Sequence, residues 1–471
     1  MSMNSNRKAL KSGLWYTASN FLVRSIGFIT TPIFTRLLTK AEFGAYNNYT
    51  SWLSILTILV TLNLESTLIS ARFDYKDTFD EYILSVLSLS SLSAMVWFVF
   101  LNIFCSAAES VLGLRRPYIN AMLLYLLFLP AVNLFQTRER YYYEYKKTVI
   151  TSLFISLGTA LISVALVVAM EDGLTGRIIG SIIPTVVLGF ACYCFFIRYG
   201  KRIRITYWKY ALPVCIPYIP HLLSMTLLNS TDRIMIERWC GSEATALYSL
   251  AYNCGAIVTL FLTSMNSAFS PWMGEKLSDN KLWEIRKFSK YYIAGFLFLA
   301  IGVMLIAPEI LLILGGESYS EAIYVMAPVS MGCICQFLYT LFVNVEQYKK
   351  KTIGMAVASV VAASVNCVLN WLFIPRIGYL AAAYTTLVGY LVLLIIHMYL
   401  VYRLRLSAVY SYKFVVMAVI IGLIAMILIT VSYSNNIMRY LTILIYLIIA
   451  LVILYKNKNK VKGIFAAICG K

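Results

Sequence analysis

Apolar stretches of about 20 residues recur from one end of this chain to the other. That is the length a helix needs to cross ~30 Å of hydrocarbon. Fourteen such stretches stand out, at roughly 12–35, 45–70, 82–106, 118–137, 148–170, 176–197, 211–234, 247–271, 291–314, 323–345, 352–374, 379–401, 413–432 and 438–455. Boundaries drift by several residues, and the second, seventh and eighth could each begin a turn later. The first stretch follows Arg7, Lys8 and Lys11, with no small-residue cleavage site after it. A retained signal-anchor helix is expected there, not a cleaved signal peptide.

Composition agrees with the pattern. Of 471 residues, 60% are hydrophobic and 13% charged, where a soluble domain carries about a quarter charged residues. The expected class is an all-α integral membrane protein. Basic residues in short loops set its orientation. With the amino terminus in the cytoplasm, the inside segments hold 30 Lys and Arg and the outside loops 9, leaving Arg24 within the first span. Both termini are therefore expected on the cytoplasmic side. The formal charge of +19 is read as positive-inside topology and contact with anionic headgroups, not as nucleic-acid binding. The Lys456-Asn-Lys-Asn-Lys460 tail fits the same reading. The ten cysteines form no metal or disulfide framework, and the C-x-C pairs Cys192/Cys194 and Cys333/Cys335 lie in apolar runs. Zinc sites use other spacings with further ligands in polar surroundings, so these are expected to be packing residues.

No loop exceeds about 20 residues, a length too short for a soluble catalytic domain. A repeat appears near an offset of 202. Residues 35–49, TRLLTKAEFGAYNNY, lie over residues 237–251, ERWCGSEATALYSLA, aligning Arg36 with Arg238, Tyr46 with Tyr248 and Gly44 with Ala246. Gly173-Leu-Thr-Gly176 echoes Gly378-Tyr-Leu-Ala381 at an offset of 205. The offset skips six helices, so the halves share one orientation, as in parallel transporter repeats. The expected layout is an N-terminal six-helix lobe over 1–207 and a C-terminal six-helix lobe over 208–412 around a central cavity. Residues 413–471 then add two helices and a basic cytoplasmic tail.

Four stretches carry a resemblance: RLLTKAEFGAYN (36–47), PYIPHLLSMTLLNSTDRIMI (217–236), NSAFSPWMGEKL (266–277) and SVNCVLNWLFIPRIGYLAAAY (364–384). On these the chain resembles the polysaccharide-lipid flippases of the multidrug/oligosaccharidyl-lipid/polysaccharide exporter superfamily, the group that includes O-antigen flippases. The resemblance implies two six-helix lobes in a V around a partly cationic cavity. It implies an undecaprenyl-pyrophosphate-linked oligosaccharide as substrate, moved from the cytoplasmic to the periplasmic leaflet of a bacterial inner membrane by alternating access. No cofactor is implied, with Na+ or H+ as the candidate coupling ion.

Arg24 is the sharpest local signal. It sits about 20 Å into the first span at ~1.5 Å per residue. A basic residue near mid-membrane costs roughly 2.5–3.5 kcal/mol on insertion scales, a cost tolerated beside an aqueous cavity or an anion. A pyrophosphate suits the planar guanidinium fork; a structural ion pair with a neighbouring helix is the alternative. Glu65 is the obvious partner for such a pair, yet it sits several ångströms nearer the cytoplasm. It is also a candidate coupling carboxylate, or a hydrogen-bonded group near the edge.

Residues 221–239, HLLSMTLLNSTDRIMIERW, combine an apolar run with His221, Asn229, Asp232 and Arg233. Pro213, Pro217 and Pro220 just before them remove backbone donors, so a kink or break is expected. His221 could contact a sugar or phosphate, or satisfy a carbonyl freed by that kink. Asp232 and Arg233 lie ~32 Å along the span and point about 100° apart on a helix. Asp232 is read as part of an outer gate, Arg233 as facing the cavity mouth or headgroups, with an ordinary polar helix end as the alternative. Asn229 would line the upper cavity wall. Arg138, Arg140, Lys146 and Lys147 flank YYYEY and either gather anionic carrier lipid or form a tyrosine belt with positive-inside charge. His397 is read as structural.

Three function classes compete. A lipid-linked oligosaccharide flippase fits a basic mid-depth charge. A multidrug or organic-cation antiporter of the same fold would want an anionic, aromatic site. A membrane-embedded glycan polymerase or acyltransferase would need a catalytic loop group, which two in-span histidines do not supply, so the chain is not expected to be an enzyme. Expected partners are membrane lipids and the carrier-linked glycan, with a polymerase and glycosyltransferases in the same pathway. A monomer is expected.

Overall fold

The structure is a computed structural model that describes residues 2–142 and 144–456. The described residues form helices joined by short turns, with no strand among them. Eleven helices are long and apolar enough to span a bilayer, or twelve if one bent pair is a single span. The first of the fourteen expected spans falls on α1 (Ser2–Leu37), and the fourteenth on α18 (Asn436–Lys456), which is apolar over Asn436–Ile448. The expected tail beyond Lys456 lies outside the described residues.

The chain packs as two compact units. The first holds the chain up to Ser249 together with Leu314–Gly316 and Ser359–Thr385. Its helices after α1 are α2 (Lys40–Thr61), α3 (Leu68–Asp74), α4 (Phe79–Ile103), α5 (Cys105–Leu112), α6 (Arg116–Tyr141), α7 (Tyr145–Ala169), α8 (Gly173–Gly200), α9 (Ile205–Cys215) and α10 (Ile219–Cys240). The second holds most of α11 (Ser242–Ser278), α12 (Leu282–Leu305), most of α13 (Ala307–Gly315), α14 (Ile323–Tyr348), the start of α15 (Thr352–Ile377), most of α16 (Leu380–Arg403), α17 (Tyr412–Ser432) and α18.

Local chemistry sets the helix ends. Thr39 accepts from the Glu42 backbone N–H while the Glu42 carboxylate accepts from the Thr39 N–H. This reciprocal cap satisfies two donors that the first turn of α2 would otherwise leave open. Asp172 caps α8 by accepting from Thr175. The Thr175 hydroxyl and N–H hold the Asp172 carboxyl below its usual range.

In the first unit, α7 and α8 pack through small residues. A Cβ on Gly180 would lie 2.4 Å from Cα of Ser163, and one on Gly176 would lie 2.8 Å from the Leu166 backbone. Lipid supplies no hydrophobic push between helices, so close backbone approach is the means of association. A tyrosine group (Tyr75, Tyr82, Tyr207, Tyr210) locks α9 onto α4 with ring centroids 4.8 to 5.8 Å apart. In the second unit α14 is the buried centre, with α12 and α17 packed on it. The last helix docks on α12, where the Tyr446 hydroxyl donates to the Phe298 carbonyl. Large apolar side chains such as Ile420, Ile424, Ile427 and Leu428 face outward, as a lipid solvent allows.

The expected span over 45–70 is not one straight helix. Leu62 and Asn63 adopt left-handed φ values of 54° and 49°. They interrupt the hydrogen-bond ladder, and the chain bends by 49° between α2 and the segment Leu64–Asp74.

The two repeated turns meet in the first unit. Gly44, in the first turns of α2, lies so close to Ser242 at the start of α11 that a Cβ would fall 1.7 Å from the Ser242 carbonyl oxygen. Gly44→Ala therefore requires backbone displacement and is expected to cost about 1–3 kcal/mol, read as a lower thermal unfolding midpoint in detergent. Gly27→Ala, where nothing lies within 4 Å, serves as the control and should leave the midpoint equal or higher.

Candidate functional site

Arg24 projects from α1 as an exposed side chain. Among the described residues it makes no ion pair or hydrogen bond. Glu65, weighed above as its partner, is engaged elsewhere. It sits in the short 3-10 segment Leu64–Thr67 after the break in α2, between α2, α4 and α6. Asn133 is its hydrogen-bond partner, and the Arg140 charge lies nearby.

The stretch over 205–240 breaks where its prolines fall. Helix α9 ends at Cys215, Ile216–Tyr218 form a 3-10 turn, and α10 resumes at Ile219 with Pro220 in its first turn. His221 follows, half-buried, its ring 5.6 Å from that of Tyr218. Its Nδ1 is buried without a hydrogen-bond partner. Asn229, two turns further, donates to the Met225 carbonyl. Arg233 is half-buried.

Asp232 occupies the most elaborate polar site in the first unit. It is 1% exposed. One carboxylate oxygen accepts from the Tyr248 hydroxyl at 2.5 Å, the other from the Asn370 amide at 2.6 Å. The Asn370 amide also reaches Asn366 Oδ1 at 3.2 Å, and the Thr385 hydroxyl donates to Asn370 Oδ1. Asn366 and Asn370 are fully buried. Four elements thus converge on one carboxylate: α10, α11, α15 and α16. Each carboxylate oxygen accepts a hydrogen bond, as burial of a charged group demands.

Asn366, Asn370, Thr385 and Tyr248 were not singled out by sequence reasoning. The available signal was the pair of asparagines four residues apart within SVNCVLNW, one helical face of an otherwise apolar span. In the second unit, His397 is bound to Glu346 at 2.8 Å, both side chains being 2% exposed or less. The ring of Tyr339 stacks on that imidazole with centroids 5.6 Å apart. This accords with a structural role.

The basic cluster where α6 meets α7 is already neutralised in part. Arg138 forms a two-pronged pair with Asp80 (2.7 and 3.0 Å) and also contacts Glu139, which Lys147 reaches at 2.9 Å. Tyr143 of YYYEY lies outside the described residues. Cys192, Cys333 and Cys335 are buried and Cys194 exposed, all as free thiols.

Residues 9–276, more than half of the chain, match the family described as polysaccharide biosynthesis protein. The chain belongs to that family. Residues 217–372 also match the family described as MatE. A protein of the Lsg locus of Haemophilus influenzae is 22% identical over 334 residues, covering 67% of this chain and 79% of its own. Among solved structures, the lipid II flippase MurJ in an inward closed conformation aligns with a TM-score of 0.69. The identity is 13%, over 94% of this chain and 99% of that one. An inward-facing multidrug resistance MATE transporter aligns with a TM-score of 0.60 at 14% identity, over 82% and 95% of the two chains. At such identities the likeness concerns the fold. With the family match and its long apolar helices, the chain is a multi-pass membrane protein of the polysaccharide biosynthesis family with a transporter-like fold.

In this family member the Asp232 cluster is a structural keystone whatever else it does. Asp232→Ala strands the Tyr248 hydroxyl and the Asn370 amide, at about 1–3 kcal/mol for each stranded group. Asp232→Asn keeps one acceptor and is expected to lose less. Denaturant unfolding in detergent measures both; equal midpoints for the two variants and the parent would refute the assignment.

Proposed function

We propose that this protein flips an undecaprenyl-pyrophosphate-linked oligosaccharide from the cytoplasmic to the periplasmic leaflet of a bacterial inner membrane by alternating access. The observation that carries the reading is Arg24: an exposed guanidinium, the one charge between Lys11 and Arg36 of α1, with no carboxylate partner among the described residues. A fixed cation in that setting favours an anionic ligand, and guanidinium matches the oxygens of a diphosphate in a two-pronged geometry. His221, Asn229 and Arg233 are the further proposed substrate contacts. The working layout is fourteen spans with both termini inside, as lobes over 1–207 and 208–412 and two added helices over 413–471. The protein acts as a monomeric transporter, not an enzyme, between glycosyltransferases that supply the carrier-linked repeat and a polymerase that consumes it.

Coupling to a Na+ or H+ gradient is assigned to Asp232, with Glu65 as a second candidate. The support is a buried carboxylate whose surroundings are amide and hydroxyl groups contributed by several helices. Such groups can exchange one another for a cation or a proton at small geometric cost. A multidrug or organic-cation antiporter is the second reading, favoured by the MatE match over 217–372 and by that same carboxylate.

Two measurements test the proposal. Arg24→Ala should lower glycan export about 10- to 150-fold, the loss of charge-assisted bonds worth about 1.5–3 kcal/mol, with the protein still inserted and abundant. Arg24→Lys should rescue poorly; full export by the alanine variant overturns the pyrophosphate role. In proteoliposomes carrying the labelled carrier lipid, collapse of the Na+ or H+ gradient should halt net translocation. Transport that continues unchanged would make the protein a facilitator.

A further inference from the structure

A second cationic group faces a chamber inside the first unit and belongs to none of the contacts above. Arg177 stands in the first turns of α8. Its guanidinium is held between two rings, 3.6 Å from the Phe34 centroid and 4.5 Å from that of Tyr46. Stacking of this kind fixes the plane of the guanidinium and leaves its N–H edges to point past the rings. Its Nη1 is buried with no hydrogen-bond partner, and among the described residues Arg177 makes no ion pair. A buried donor left open costs free energy unless something outside the chain meets it.

The space it faces is a slot of about 370 Å³ between α1, α6, α7 and α8. Ligand pockets run from about 300 Å³ upward. The slot is lined by hydroxyl and amide groups, among them Thr30, Asn133, Gln136, Ser156 and Thr159. Among the described residues its lining holds one cation, Arg177, and no Asp, Glu, Lys or His. Thr30 donates to the Gly27 carbonyl, and Gln136 to Thr151 and Ser152. That leaves Arg177, Ser156 and Thr159 as the slot's open donors, and a chamber with one positive charge and open hydroxyls suits an anion with several acceptor oxygens. A carboxylate would use two of the available donors; a phosphate or diphosphate would use more, and would present oxygens along the slot's length. The slot is too small for a whole oligosaccharide repeat.

We infer that this slot is a binding site for a phosphate or diphosphate oxyanion, with Arg177 as its charge partner. The oxyanion comes either from a phospholipid headgroup or from a free phosphate. The site is separate from Arg24, which is absent from its lining. Binding is measured without transport, so its outcome is independent of the flippase reading.

The test uses the full chain in an Arg24→Ala background, which removes the other proposed oxyanion contact. In one arm, inorganic pyrophosphate is titrated calorimetrically onto protein in nanodiscs of zwitterionic phosphatidylcholine. In the other, retained lipid is counted by native mass spectrometry after exchange from phosphatidylglycerol-containing nanodiscs. Saturable binding or one-to-one retention is expected in at least one arm, and the positive arm names the source. Adding Arg177→Ala should weaken it at least about tenfold. Arg177→Lys, which keeps the charge and the ring contact, should bind more weakly than arginine and more tightly than alanine. Thr159→Val should give a smaller loss with an unchanged unfolding midpoint. Binding that survives Arg177→Ala in both arms, or no binding to the Arg177-containing chain in either, overturns the inference.

Discussion

A polar side chain inside a lipid-spanning helix has no bulk water to satisfy it, and most of what is distinctive in this protein follows from how each such group is answered. Asp232 is answered by Tyr248 and Asn370, Glu346 by His397, Arg138 by Asp80. Each answer draws on a different helix, so each fixes the rotation and depth of the elements that supply it. Where the answer is missing, as at Arg24 and Arg177, the chain presents a charge that its own described residues leave unneutralised. Paired groups serve architecture, and the unpaired ones are where the proposed anions would bind.

The same constraint governs the backbone. The breaks at Leu62–Asn63 and at Ile216–Tyr218 release carbonyls and N–H groups that a continuous helix would have consumed. Such irregular backbone is tolerated at membrane depth where protein or a wet chamber surrounds it. Both breaks sit beside polar side chains: Glu65 with Asn133 at the first, His221 at the second. Bend and polar group occur together because each makes room for the other.

Much of this was legible in the sequence, and the illegible part has a common cause. Runs of apolar residues report on single helices, so the all-helical, multi-pass class could be read directly, with eleven or twelve membrane-length helices among the described residues. The Thr39-to-Glu42 cap and the proline break before His221 are likewise local grammar. The bend in the second span was missed because Leu62 and Asn63 carry no proline or glycine to announce it. The clustering of Asn366, Asn370 and Thr385 on Asp232 depends on helices more than a hundred residues apart, which a pattern along the chain does not encode. Arg177, at the very start of the sixth span, carries no local signal in the sequence. What distinguishes it is the pair of rings from α1 and α2 that hold it, and those become neighbours only once the helices pack. Arg24 was conspicuous for the opposite reason: a guanidinium stands out against an apolar background without knowledge of its neighbours.

The near-contact of Gly44 with the Ser242 carbonyl joins two bare stretches of main chain, with no interdigitating side chains at that point. A junction of that kind has no rotamers to untangle and no knob to withdraw from a hole. A seam built from leucines would hold the two helices further apart; here the closeness resides in an atom that glycine lacks.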